Sequence, residues 1–370
     1  MQNLKFQSKA ADPHAGFQAE LQRRVEEFTR RRGIRPGPNF EFWAKSLFWF
    51  TSTYGSYALM LSGRLEGFGL LLAAFVFGTS GLLLGFNIGH DASHGAIARI
   101  PRLDHLMHHL SFLTVGIDPT LWRLRHVRSH HVYANVLGSD QDIDKNPFLR
   151  MSPEHPWHPR FRHQAVFAPF VYCLALVHSV FWGDWIYLFS RDYAWMRSGI
   201  SRRKLVTSFL VNKALHFSII LLLPWFCLDL PFWKIFGSYL LIGALASLMF
   251  IMLLVGTHFF DEADFPAAGD DGRLPSNWAV HQLVTSCDWN PESFLASFLS
   301  GGANAHAMHH LFPGHSHVHY RKLTPILREV AAEHGVRYHS MSIFTMIRSH
   351  FRFLRRMALK PERGPIHGHF

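Results

Sequence analysis

Eight histidines fall into three tight groups: His90 and His94 in His-Asp-Ala-Ser-His, His126, His130 and His131 in His-Val-Arg-Ser-His-His, and His306, His309 and His310 in His-Ala-Met-His-His. Neutral imidazole is the commonest metal-binding side chain, and residues three or four apart share a helix face. On α-helical geometry His90 and His94 point the same way, and His306, His309 and His310 fit an arc of roughly 100°. His126, His130 and His131 fan wider, to roughly 0°, 40° and 140°, which suits ligands reaching two metal ions rather than one. Eight rings exceed the needs of one ion, since structural zinc takes four ligands and catalytic zinc three plus water. Imidazole serves zinc, copper, iron and nickel alike. The scarcity of carboxylates and the lack of a hydrolytic nucleophile tilt the reading towards redox chemistry and iron.

Other residues bear on the same centre. His258 directly follows an apolar run, as His90 follows another, so both emerge at one depth and His258 is a ninth candidate ligand. His281, in Trp278-Ala279-Val280-His281-Gln282, is its competitor and a possible additional ligand. Asp91 lies inside the first group and Asn304 two residues before the third, where each is placed to orient a ligand ring. Trp122, on a helix expected to start at Asp118-Pro119-Thr120 and run into the second group, is a candidate to line a substrate path. The chain has 27 histidines, so chance clusters must be weighed. His105, His108 and His109 repeat the third spacing but read as an interfacial helix face. His315, His317 and His319 alternate after Pro313 and suit supporting or loop roles. His14, His367 and His369 read as tail residues. Asp140, Asp142 and Asp144 superficially suggest calcium, but the rest of an EF-hand loop is missing. They read as a solvated loop or as support for the ligands.

The elements that must position these rings are membrane helices. Residues 68–89 and 235–257 carry no charge, and a helix crossing the hydrocarbon core needs roughly 20 such residues. Weaker runs occupy 46–62 and 205–228, the latter with Lys213 placed to snorkel towards an interface. Spans at about 46–62, 68–89, 205–228 and 233–257 make two hairpins. The run 165–189, broken by Pro169, His178 and Asp184, reads as a helix lying in the interface. Outside the runs, Arg64 and Lys234 are the only basic residues on the turn side. Arg30, Arg31, Arg32, Arg35, Lys45, Arg202, Arg203 and Lys204 lie on the other. That asymmetry puts both termini and all three histidine groups in the cytoplasm. The expected fold is an all-α integral membrane protein: four transmembrane helices in two hairpins and a cytoplasmic helical cap carrying the histidines. Three regions follow. Residues 1–42 form a cytoplasmic segment, disordered to 15, with an amphipathic helix over 16–32. Residues 43–330 form the membrane domain and 331–370 a cytoplasmic tail. The formal charge of +11 reads as topology and lipid contact, with docking of an acidic electron carrier as a further use; four membrane runs argue against nucleic acid. Three separated cysteines indicate neither a disulfide framework nor a thiolate metal site.

Taken together, the groups resemble the three histidine boxes of the membrane fatty acid desaturase family. The stretch from Gly301 to Pro313 is especially similar to the front-end and acyl-lipid branch, as is His281-Gln282 through Asp288-Trp289-Asn290-Pro291. The resemblance spans roughly residues 40–330, and its specificity lies in box order, box spacing and hairpin placement together. There are departures. The second box has three residues between its first two histidines where two are common, and the third begins with His306 where many front-end members have glutamine. No fused cytochrome b5 domain fits before the first run. The resemblance implies two non-haem iron ions and O2 as co-substrate. It also implies a fatty acyl substrate, as acyl-CoA or lipid-linked, held in a bent apolar tunnel. Two hydrogens leave adjacent methylenes to give a cis double bond and water. Electrons would come from a separate protein of ferredoxin or cytochrome b5 type. A diiron membrane hydroxylase of a lipid or hydrocarbon is the nearest alternative. A metal-binding membrane transporter is the alternative of another class, and it would place histidines or carboxylates inside the spans. The bacterial inner membrane is the favoured location, with the endoplasmic reticulum the other.

Overall fold

The structure, a computed structural model, describes residues 4–8, 12–98, 100–143, 147–190 and 198–361. Asp144, His367 and His369 lie outside the described residues. Helix α1 (Phe17–Arg31) buries Phe17, Leu21 and Val25, one turn apart, against α12 (Tyr320–Glu333) and α9 (Trp278–Val284). The expected amphipathic helix is therefore present, and its apolar stripe has a partner. Residues 4–8, expected to be disordered, are tied down: Lys5 bridges Arg273 and Leu4 is buried.

Among the described residues four helices are long and apolar enough to cross a membrane: α3 (Gly67–Ser93), α6 (Pro159–Phe189), α7 (Arg202–Cys227) and α8 (Phe232–Thr257). The number matches the expectation, and the membership differs by one. The run 46–62 lies in α2, which is helical over residues 40–61, but Glu41, Lys45 and a series of serines and threonines dilute its hydropathy. Helix α6, expected to lie in the interface, meets the length and hydropathy of a span in spite of Pro169. Helix α2 packs along α3, α3 packs along α8, and the π turn Ser218–Leu222 of α7 also meets α8. Tyr57, Met60, Ala73, Phe77, Ile220, Leu221 and Ile235 form one core across these elements. The longest packing seam is between α6 and α8.

Lys213 does not snorkel. It is buried and donates to Gly116 O (2.7 Å), Val180 O (2.8 Å) and Asp184 Oδ2 (2.7 Å). An ammonium leaves water only when its protons are met this completely. Those bonds hold the turn between α4 (Pro101–Leu113) and α5 (Pro119–Arg125). His216 of α7 holds the same turn through Leu113 O at 2.8 Å.

Beyond the spans, α9, strand β1 (Cys287–Trp289), α10 (Phe294–Ser300), α11 (His306–Leu311) and α12 build a layer over the histidines. The stretch from 331, read from sequence as a tail, contains strand β2 (His339–Met341), parallel to β1, and helix α13 (Ile343–Ala358). Helix α13 packs on α6 and on the end of α8, with His350 bonded to Tyr172 Oη and Phe259 O, both at 2.7 Å.

Candidate metal centre

The first histidine group sits where α3 changes its winding. Gly85–Gly89 is a π turn, and His90–Ser93 resumes the α-helix. A Cβ on Gly89 would stand 2.9 Å from the Phe112 ring, so glycine there lets α4 press against the turn. The second group is itself a π turn, His126–His130, closed by His131 N–H to His126 O. The π turn, common at functional sites, corrects the α-helical fan drawn from sequence. Because each ring closes one residue later, His126 and His131 share a face and His130 turns away. The third group is α11, whose first turn is anchored by Asp288 Oδ1 accepting from Ala307 N at 2.8 Å.

These elements gather nine histidines into two sets. His90, His94, His126, His131 and His309 each bring one ring nitrogen within 4.8 Å of the others, and His130, His258, His306 and His310 do the same. His126 Nε2 is 3.0 Å from the Nε2 atoms of both His90 and His131. His258 Nε2 is 2.7 Å from His306 Nε2 and 3.2 Å from His310 Nε2. A third grouping, His126, His130 and Asp142, overlaps both sets. All nine residues are buried except His94, which is half-buried.

The outward nitrogens explain why the inward ones carry lone pairs. His258 Nδ1 donates to Thr285 O at 2.8 Å, His310 Nδ1 to Gln282 Oε1 at 2.8 Å and His130 Nδ1 to Asp140 Oδ2 at 3.1 Å. A neutral imidazole that donates through Nδ1 is an acceptor at Nε2. Acceptors then converge with no proton to share, and His94 Nε2 and His309 Nε2 are buried without a hydrogen-bond partner. That is the donor set of a cation, with the ring-to-partner bonds that usually orient metal-ligating histidines. The electrostatics agree. Burial, followed by neighbouring imidazoles, pushes His126, His131, His306, His309 and His310 well below the ordinary histidine range. Burial takes His258 down to about 3. His130 goes the other way: burial lowers it, but the carboxylates of Asp140 and Asp142 outweigh burial and raise it.

The remaining sequence candidates are placed as follows. His281 is buried but belongs to neither set, with its ring edge-on to Phe6. Asp91 accepts from Ser316 Oγ, His317 N and His317 Nδ1. Asn304 accepts from Ser300 Oγ and donates to Asn290 O. Both therefore brace loops beside the boxes, while Asp140, Gln282 and the Thr285 carbonyl hold rings. Of these, Gln282 and Thr285 carried no sequence signal beyond lying beside His281. His317 does have the supporting role read from its spacing, and Lys45 Nζ meets its Nε2 at 2.7 Å. The interfacial-face reading of His105, His108 and His109 fails for His108, which is buried with its ring nitrogens 2.8 and 2.9 Å from two backbone carbonyls. Trp122 stacks on His126 with ring centroids 4.4 Å apart and meets Phe112 at 4.9 Å. On the membrane side Phe86 stacks on His90 at 6.0 Å and contacts Phe250 at 3.9 Å. An apolar cavity of about 520 Å³ is lined in part by Leu82, Val115, Leu176 and Ala246, which share a core cluster with Phe86 and Phe250.

The fatty acid desaturase family model matches residues 67–342. The chain is 28% identical over 362 residues to an sn-1 linoleoyl-lipid 6-desaturase of Arthrospira platensis, with 95% of each chain covered. It is 27% identical over 364 residues to a protein of the same name from Synechocystis sp., covering 96% of this chain and 98% of that one. With an acyl-lipid (8-3)-desaturase of Mortierella alpina it shares 26% identity over 353 residues, 94% of this chain and 78% of the other. The match takes in all nine converging histidines, and the chain belongs to the fatty acid desaturase family, oxidoreductases that act on fatty acyl chains.

Proposed function

We propose that the nine histidines hold two iron ions and that the protein inserts a cis double bond near the carboxyl end of a lipid-linked acyl chain. His90, His94, His126, His131 and His309 would hold one ion, and His130, His258, His306 and His310 the other. The observation that carries this reading is the division of nine histidine rings into two converging sets. Bound iron would supply the two-electron oxidation, with O2 as the acceptor. In balance, two C–H bonds on adjacent methylenes break and a C=C bond forms. O2 takes up those hydrogens together with two electrons and two protons and leaves as two waters. The electrons come from a separate donor protein of ferredoxin or cytochrome b5 type. The relatives named above act on linoleoyl-lipid or acyl-lipid, which supports a lipid-linked substrate over acyl-CoA.

The chain's own residues set the geometry. Thr285 O, Gln282 and Asp140 hold rings so that their lone pairs face inward. Orientation of one carbon pair against the centre is the protein's main lever on an unactivated bond. Trp122 and Phe112 on one side, and Phe86 and Phe250 on the other, give methylenes an apolar approach. A bond placed near the carboxyl end leaves most of the chain beyond the metals, and the cavity lined in part by Leu82 and Ala246 has the size and apolar lining for it.

For topology we propose two hairpins, α2–α3 and α7–α8, with the histidine layer on the cytoplasmic face of a bacterial inner membrane. Helix α6 then lies along the interface. Supporting this, Gln164 near its start bonds Arg150 and Leu354. Tyr187 near its end bonds Gln141, beside Asp140. One end thus meets α13 and the other the loop that carries Asp140.

The test is expression in a host without polyunsaturated lipids, fed linoleate, with total fatty acids resolved by gas chromatography–mass spectrometry. A new double bond on the carboxyl side of the existing ones, absent with His309→Ala, is the expected result. A product retaining oxygen would replace this reading with a hydroxylase.

A further inference from the structure

The ligand sets leave out a histidine that touches two of the three segments carrying the first set. His108 on α4 is 2% exposed. Its Nδ1 lies 2.8 Å from Gly89 O and its Nε2 2.9 Å from Pro119 O. Gly89 is the last residue of the π turn and immediately precedes His90. Pro119 opens α5, which carries Trp122 and runs without a break into His126. The ring spans the gap between these two backbones, packed on Phe112 at 4.5 Å and on Trp122 at 5.9 Å.

The contact is built tightly from both directions. A Cβ on Gly85 would sit 3.2 Å from Val115 Cγ2, and one on Gly89 2.9 Å from the Phe112 ring, so glycine lets the α4 segment approach α3 closely enough for His108 to reach a main-chain oxygen. At the other end, Asp118 caps α5 through Leu121 N at 2.8 Å and is held by Asn212 at 2.9 Å, while Asp184 takes its N–H at 2.7 Å. The entry of α5 is thus fixed against α6 and α7, and His108 links it to α3.

We propose that His108 is a positioning residue for the metal centre: its ring is a strut that sets the separation of α3 and α5, and with it the placement of His90 against His126. Those two rings bring their Nε2 atoms to 3.0 Å. A displacement on the order of 1 Å far from the reacting bond can cost about 100-fold in rate. This inference rests on the ligand assignment proposed above. Carbonyl oxygens only accept hydrogen bonds, and a buried neutral ring carries a single N–H, so His108 holds one of the two carbonyls by donation and lies against the other; packing alone does not supply that donor.

Three variants separate the strut from mere core packing. His108→Phe keeps an aromatic ring against Phe112 and Trp122 but removes the ring N–H. His108→Asn places a donor near the position of Nδ1 and can restore the Gly89 bond; His108→Gln places one near Nε2 and can restore the Pro119 bond. Each is purified and loaded with ferrous iron. The readouts are iron stoichiometry, the rate at which a chelator strips the iron, the Mössbauer spectrum, and kcat and KM. The expected result for His108→Phe is about a 10- to 100-fold fall in kcat with KM little changed. Its iron should also leave faster, and the signal of one iron site should alter. Whichever of His108→Asn and His108→Gln restores the bond that the ring N–H makes should recover part of kcat and of iron retention. Wild-type kcat, iron loss and spectrum in His108→Phe would overturn the proposal. Should His108→Phe fail to insert, equal and complete loss in the Asn and Gln variants would overturn it as well. Failure of the ligand assignment itself looks different: the wild-type protein would then bind no iron, or His94→Ala would bind as much as wild type.

Discussion

A ligand ring is defined by its outward nitrogen as much as by its inward one. For His310 the outward partner is Gln282 Oε1 at 2.8 Å, fully buried. Replacing Gln282 with leucine leaves a buried N–H without an acceptor and frees the ring to rotate. Loss of such a partner typically weakens metal affinity about 10- to 100-fold. Chelator competition on purified Gln282→Leu should show that loss for one iron of the two, and an unchanged affinity would mean that packing alone orients the ring. Asp140→Asn at His130 tests the same principle with a charge: it should reverse the raised protonation tendency of His130, read as a lower histidine pKa by NMR of the metal-free protein. At this scale the sequence was legible wherever spacing carried the signal. The boxes and His258 stand out because they repeat a pattern or follow an apolar run. Gln282 and Thr285 do not, because a partner is chosen by the fold from residues far along the chain: Gln282 meets a histidine 28 positions away and Thr285 one 27 away.

Elements were legible to the extent that they keep α-helical periodicity. Helix α1 and the apolar cores of α3, α7 and α8 were read correctly because an apolar stripe or an unbroken run needs no knowledge of the partner. The π turns were invisible, since nothing in His-Val-Arg-Ser-His-His announces a longer ring, and so the fan of the second box was drawn on α-helical angles. Two element-scale expectations follow. A Cβ at Gly89 meets the Phe112 ring at 2.9 Å and Ser111 Cβ at 3.0 Å, whereas one at Gly237 meets nothing within 4 Å. Gly89→Ala should therefore cost about 1–3 kcal/mol through overpacking, and Gly237→Ala should gain about 0.5–1 kcal/mol in its helix, read as melting shifts of opposite sign in detergent. Helix α13 supplies a pH-dependent contact. Burial depresses His350 from 6.5 to about 4. The folded form stays neutral where the unfolded chain binds a proton, so stability is complete above about pH 6.5 and falls as pH drops towards 4. The full effect is on the order of 3 kcal/mol. His350→Gln should flatten the melting curve's dependence on pH across that window. Parallel wild-type and variant curves would show that His350 does not titrate there.

At the scale of the whole molecule, the centre is where the chain's distant parts meet. The nine rings come from the end of α3, from α5 and its continuation, from the residue after α8 and from α11, and no two of these elements are joined by a short loop except through the α4 segment. Spans read from hydropathy therefore say which helices exist but not which ends must touch; the histidines say the second. Rings with converging lone pairs are a poor core on their own, because each inward nitrogen gives up water without gaining a donor. A metal ion supplies what those nitrogens lack, so the histidine layer should be far more stable loaded than stripped. Ligand binding stabilises a fold by RT ln(1 + [L]/Kd), about 4 kcal/mol at a thousandfold excess over Kd. Chelated protein should therefore melt several degrees lower, and ferrous iron should restore the midpoint in a concentration-dependent way. Because the rings form a set of five and a set of four, the restoration should come in two steps. His306→Ala should remove one step and His94→Ala the other, leaving the remaining step in place. One step in the wild type, abolished whole by either variant, would mean that the ions bind as one cooperative unit, and a midpoint indifferent to chelation would mean that the layer holds itself together without metal.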